Sequence, residues 1–187
     1  RRNFALELRA TLFLPLMLAA VEGGVVGVLV RIAYEGAVDA RLLNRVVAAI
    51  VAAPALANIT SFIWVRLSHG RDKIRFVTGL QVALAVAVLG ISLMPVSGPG
   101  LIGLAVCVLA GRMVWAGFIT LRSTIWGLNY PRPVRARITG KLATVQVLML
   151  AVLGAGLGVV MKRTPSGVRL PFPLGVVLGP VAVSYTH

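Results

Sequence analysis

Carboxylates are scarce in this chain: five Asp and Glu stand against 19 Lys and Arg in 187 residues. Glu7, Glu22, Glu35, Asp39 and Asp72 are scattered, and no two are spaced to share acid and base work. The two histidines, His69 in a basic loop and His187 at the last position, provide neither a two-His metal site nor a Ser–His dyad. One cysteine, Cys107, leaves no disulfide framework and no Cys-based metal site. The phosphate-cradling pattern G-x-x-x-x-G-K-[ST] does not occur. These shortages argue against an enzyme, and no cofactor or metal is expected.

What the chain has in excess is apolar length. The hydrophobic fraction is 58% and the mean hydropathy +0.93, well above the roughly half-apolar composition of ordinary globular chains. Six apolar runs, at about 11–30, 46–65, 77–96, 101–121, 142–161 and 171–184, alternate with short basic loops. Five are near the ~20 residues that a helix rising ~1.5 Å per residue needs to cross a ~30 Å hydrocarbon core. The fold class expected is an all-α, multi-pass transmembrane bundle of six spans in a single domain over 1–187. Residues 11–30 are too long for a secretory leader and precede five more runs, so a first span is expected there. The chain does not begin with Met and ends at Ser184-Tyr185-Thr186-His187 in an apolar stretch; a fragment of a longer protein is expected.

A net charge of +14 ordinarily points to nucleic acid. Here the charge lies in loops between apolar runs, so the expected partner is the lipid bilayer and not nucleic acid. With the N-terminus inside, the cytoplasmic side collects twelve basic residues: Arg1, Arg2, Arg9, Arg66, Arg71, Lys73, Arg75, Arg122, Arg132, Arg135, Arg137 and Lys141. The other side has six: Arg31, Arg41, Arg45, Lys162, Arg163 and Arg169. That asymmetry predicts a cytoplasmic N-terminus, with Gly70 and Tyr130 inside and Asp39 and Gly98 outside. Trp64 and Trp126 fall where interfacial aromatic anchors are expected. Pro15, Pro54 and Pro95 are expected within helices, which membranes tolerate. Gly23…Gly27, Gly154…Gly158 and Gly175…Gly179 have the spacing of closely packed helices.

Two charges lie deep in the apolar runs. Glu22 is the twelfth residue of 11–30 and Arg112 the twelfth of 101–121. The two helices cross in opposite directions, so each charge sits ~17 Å from the surface at which its helix begins, at matching depth. Three readings stay open: a mutual ion pair, direct handling of substrate or protons, or neither. Asn58, Thr60, Ser61, Thr144 and Gln146 are weaker polar signals, read first as packing groups. Trp115, three residues after Arg112, shares its helix face and is a candidate to line a cavity with it.

The loop Val65-Arg66-Leu67-Ser68-His69-Gly70-Arg71-Asp72-Lys73 resembles the cytoplasmic signature of the major facilitator superfamily, Asp-Arg-x-Gly-Arg-[Arg/Lys]. Gly70 and Arg71 match its Gly-Arg step, and Lys73 stands one place late. The aspartate three residues before that glycine is replaced by Leu67, which leaves the family's latch without its carboxylate. Arg112 followed by Ala116 and Gly117, and Asn129-Tyr130-Pro131-Arg132-Pro133-Val134-Arg135-Ala136-Arg137 followed by Gly140, resemble further family segments. Gly154-Ala155-Gly156-Leu157-Gly158 lies where antiporters of the family carry a Gly-Pro motif, without the proline. Together these cover about residues 10–184.

The resemblance implies six helices arranged as two inverted three-helix repeats, the N-terminal half of a twelve-helix secondary transporter. Helices one and four would line the central cavity, with Glu22 and Arg112 beside the transport path and Gly70, Arg71 and Lys73 in a cytoplasmic gating loop. The partners implied are a small-molecule substrate, protons or another coupling ion, and a C-terminal half of the same chain. The function expected is secondary active transport of a small solute across the cytoplasmic membrane by alternating access. The alternative is a complete small membrane scaffold or assembly protein in which both charges are structural.

Overall fold

The computed structural model describes residues 15, 17–129 and 131–163. The run expected at 171–184, the glycines 175 and 179, and Tyr130 lie outside the described residues. Within them the chain is all helical, with no strand. The elements are α1 (Gly23–Tyr34), α2 (Ala40–Ile59), α3 (Ser61–Leu67), α4 (Lys73–Leu93), α5 (Gly98–Asn129) and α6 (Arg132–Arg163). Residues 17–21 are also helical.

Among the described residues, four helical stretches are long and apolar enough to cross a membrane: Ala40–Ile59, Lys73–Leu93, Gly98–Gly127 and Ala136–Gly156. They overlap the second to fifth apolar runs, with bounds shifted by up to six residues. The first run differs from expectation. It is not one helix through 11–30, because Glu22 is extended (φ −72, ψ 112) between residues 17–21 and α1. Gly23 and Gly24 follow it, and two consecutive glycines hold a helix together poorly. α1 itself has 12 residues, ~18 Å of rise, less than a bilayer core. The second run is also interrupted, at Thr60, whose hydroxyl donates back to the carbonyls of Ala57 (3.0 Å) and Leu56 (3.3 Å), a bond that tends to bend membrane helices. α5 and α6 have 32 residues each, ~48 Å of rise, because helical hydrogen bonding continues through the polar residues where the apolar runs stop.

Helix starts follow sequence chemistry. Asp39 caps α2 by accepting from the amides of Arg41 and Leu42, both at 3.0 Å. Asp72 caps α4 through Ile74 (2.9 Å) and Arg75 (3.3 Å). Gly70, at φ +70, turns the chain between α3 and α4, a left-handed conformation that other residues adopt at a cost.

The helices pack up and down. Gly23 lies against the Ile50 carbonyl and Pro54, and Gly27 against Val51 and Val47, so α1 and α2 are antiparallel. α4 runs antiparallel to α5, with Gly90 beside Cys107, Met94 beside Gly103 and Leu84 beside Gly111. Leu42 near Gly98 and Trp64 on Gly117 make α2–α3 parallel to α5. The core between them holds Met17, Val21, Val26, Ile50, Leu84, Val88, Val108 and Leu121. At one end the Tyr34 hydroxyl donates to the Pro95 carbonyl at 3.0 Å, joining the turns after α1 and α4. α6 meets the rest through Leu142, which is buried, and Leu150. Gly154, expected in a close helix contact, meets no helix among the described residues.

Candidate functional site

The break in the first run determines where its acid points. Glu22 occupies the N-cap position of α1, yet its side chain makes no capping bond. It turns instead to α5, where Arg112 Nη1 donates to Glu22 Oε2 at 3.0 Å. The two residues are 90 apart in sequence, brought to one level by the packing of Val21 on Gly111. The Arg112 side chain is 11% exposed and that of Glu22 is 29%, so the pair is sheltered, the arginine more than the acid. The carboxylate is thus held by a charge-assisted hydrogen bond from the guanidinium of a different helix.

The pair does not use all its hydrogen-bonding capacity. Arg112 Nε is buried without a partner. Glu22 Oε1 makes no hydrogen bond among the described residues, since the pair runs through Oε2. The open donor needs an acceptor, and the second carboxylate oxygen can take a proton, a cation or a donor group of a small polar solute.

The other residues singled out from sequence are spread around the molecule. Trp115 is buried, its ring centroid 5.3 Å from that of Phe118. Asn58 is exposed on α2, and Gln146 is half-buried on α6. No hydrogen bond links these three to the charge pair. Thr144 donates to the carbonyl of Gly140 at 3.0 Å, within its own helix. Trp64 and Trp126 differ from the wet anchors expected, since the Nε1 atoms of both are buried without a hydrogen-bond partner. Trp126 instead carries the Arg122 guanidinium 4.5 Å from its ring centroid. Gly70, Arg71 and Lys73 do come together. With Ser68, His69 and Thr124 they line a cavity of about 390 Å³ where α3 turns into α4 beside α5.

Gln81 escaped the sequence reading. It is 4% exposed on α4, and its Oε1 is buried without a partner. The available signal was a lone amide within an apolar run, a group that needs a hydrogen bond once removed from water. Among the described residues no three His, Cys, Asp or Glu side chains come together to hold a metal ion. No protein-family model, curated protein or solved structure matches this chain.

Proposed function

We propose that this chain is the N-terminal six-helix half of a secondary active transporter similar to the major facilitator superfamily. In this reading two inverted three-helix repeats rock against a C-terminal half, moving a small solute across the cytoplasmic membrane with the N-terminus inside. The observation that carries the reading is the Glu22–Arg112 ion pair at a helix break within apolar sequence. Ionisable groups at such depth are costly and mark transport paths, and interrupted helices are where transporters place their substrate and ion sites.

Glu22 is the coupling carboxylate and Arg112 its counter-charge. When Glu22 takes up a proton, the pair loses its Coulomb attraction and Arg112 becomes free to hold an anionic group of the solute. Release of the proton on the other side restores the pair and expels the solute. Occupancy of the pair thus alternates with occupancy of the substrate. Gly70, Arg71 and Lys73 form the loop that closes the cytoplasmic side.

Proton-driven uptake by the full-length protein tests the coupling role. Glu22→Gln should abolish dependence on the proton gradient, and undiminished gradient-driven uptake would dismiss the assignment. Orientation is tested separately. Single cysteines in a Cys107→Ala background should label from outside at positions 39 and 98 and not at 70; strong outside labelling at 70 would reverse the topology.

A further inference from the structure

The cavity at the α3–α4 turn, lined in part by the proposed gating loop, also has a binding chemistry of its own. Its charged lining is of one sign. Arg71 and Lys73 make no ion pair among the described residues, and His69 stands beside them. The one carboxylate in the turn, Asp72, is already committed, capping α4 through two amides and meeting Arg75 at 3.7 Å. Both hydroxyls of the lining donate into their own helices, Ser68 to the Val65 carbonyl and Thr124 to that of Thr120. Among the described residues the Gly70 amide donates to no backbone carbonyl. What remains is a set of donors with positive charge and no compensating acid, which favours an anion.

The surroundings narrow the anion further. Val65 and Leu121 form part of the wall, and Phe62 and Ile74 nearby are 66% and 62% exposed. The site lies at the ends of helices long enough to span a bilayer, where headgroups give way to acyl chains. A free inorganic anion has no use for that apolar margin; a phosphate on an apolar stem fits both parts. We propose that this cavity binds the phosphate headgroup of an anionic phospholipid, with Arg71 and Lys73 on the phosphate and the Val65–Leu121 side against the start of its acyl chains. The proposal depends on the chain crossing a membrane and not on the transport cycle.

Native mass spectrometry of the full-length protein in neutral detergent reads the site directly. Phosphatidylglycerol should be retained about tenfold more strongly than phosphatidylcholine, as two basic groups at a membrane surface imply. R71Q/K73Q should lose that preference, while R71K should keep it. R41Q/R45Q, at the opposite end of the bundle, should also keep it. A wild-type protein that shows no preference overturns the proposal, whatever the variants do. Equal loss in R41Q/R45Q would reduce the effect to general surface charge and overturn it too. Thermal unfolding with added inorganic phosphate separates the two sources of phosphate: protection equal to that by phosphatidylglycerol would overturn the lipid assignment in favour of a soluble ligand.

Discussion

α5 and α6 have the same length, 32 residues each, and both contain a stretch apolar enough to cross a membrane. Yet among the described residues 39% of an 18-residue apolar window is buried in α5, against 6% in α6. The difference does not come from hydrophobicity, because lipid competes equally well for apolar side chains and gives helices no reason to associate. It comes from small residues and charge. α5 brings Gly103 against Met94, Gly111 against Val21 and Gly117 against Trp64, and its Arg112 reaches Glu22. α6 has glycines as well, but a Cβ added at Gly140, Gly154 or Gly156 would meet nothing within 4 Å among the described residues. Glycine spacing makes close contact possible; a partner of matching shape makes it happen.

The sharpest way to break this contrast is to remove the charge that ties α1 to α5. Glu22→Gln and Arg112→Gln should each destabilise the full-length protein in detergent by up to ~3–5 kcal/mol, because each leaves its partner sheltered and unpaired. The double variant should lose less than the sum. Additive effects in a melting experiment would show that the two residues do not act as a pair.

A glycine comparison tests packing without charge. Gly23→Ala places a methyl group against the Ile50 carbonyl, which is backbone and cannot swing away. About 1–3 kcal/mol should be lost. Gly154→Ala, with no helix against it among the described residues, should be neutral or gain up to ~1 kcal/mol through helix propensity. Equal melting shifts for the two would erase the distinction between the helices. Valine truncation carries the same contrast at lower amplitude. Val108→Ala in α5, fully buried, should cost about 1–2 kcal/mol, whereas Val147→Ala in α6, 65% exposed, should stay within about 0.5 kcal/mol.

The smallest expected effect is at Gln81. Replacing this buried amide by Met removes an acceptor without a partner at nearly constant volume, and stability should rise by about 1 kcal/mol. A fall in melting temperature would show that the amide has a partner after all, such as a bound water.

The sequence exposed four of the six expected spans as long apolar helices, because span length is set by bilayer thickness and apolar runs are continuous. It also placed Glu22 and Arg112 at one level, since depth is a count of residues at fixed rise. It did not reveal that Glu22 breaks its helix, because the residues on either side remain apolar and only Gly23-Gly24 hints at the interruption. Nor did it separate Trp115, packed on Phe118 in the core, from Asn58, exposed on α2. Helical periodicity gives relative faces on one helix, and which face meets a neighbour depends on contacts from distant sequence. Gln81 illustrates the same limit: an isolated amide announces a need for a hydrogen bond and not where that bond is to be found.

The separation of 90 residues between Glu22 and Arg112 also has a consequence in time. A chain is made from its N-terminus at about 5–20 residues per second. The acid therefore emerges roughly 5–20 s before the arginine that will neutralise it. During that interval the first helix has a charge in its middle and a break beside it, and its stay in lipid is unfavourable by the cost of an uncompensated charge, on the order of 3 kcal/mol. Its final seating must await α5, so a segment synthesised early settles late.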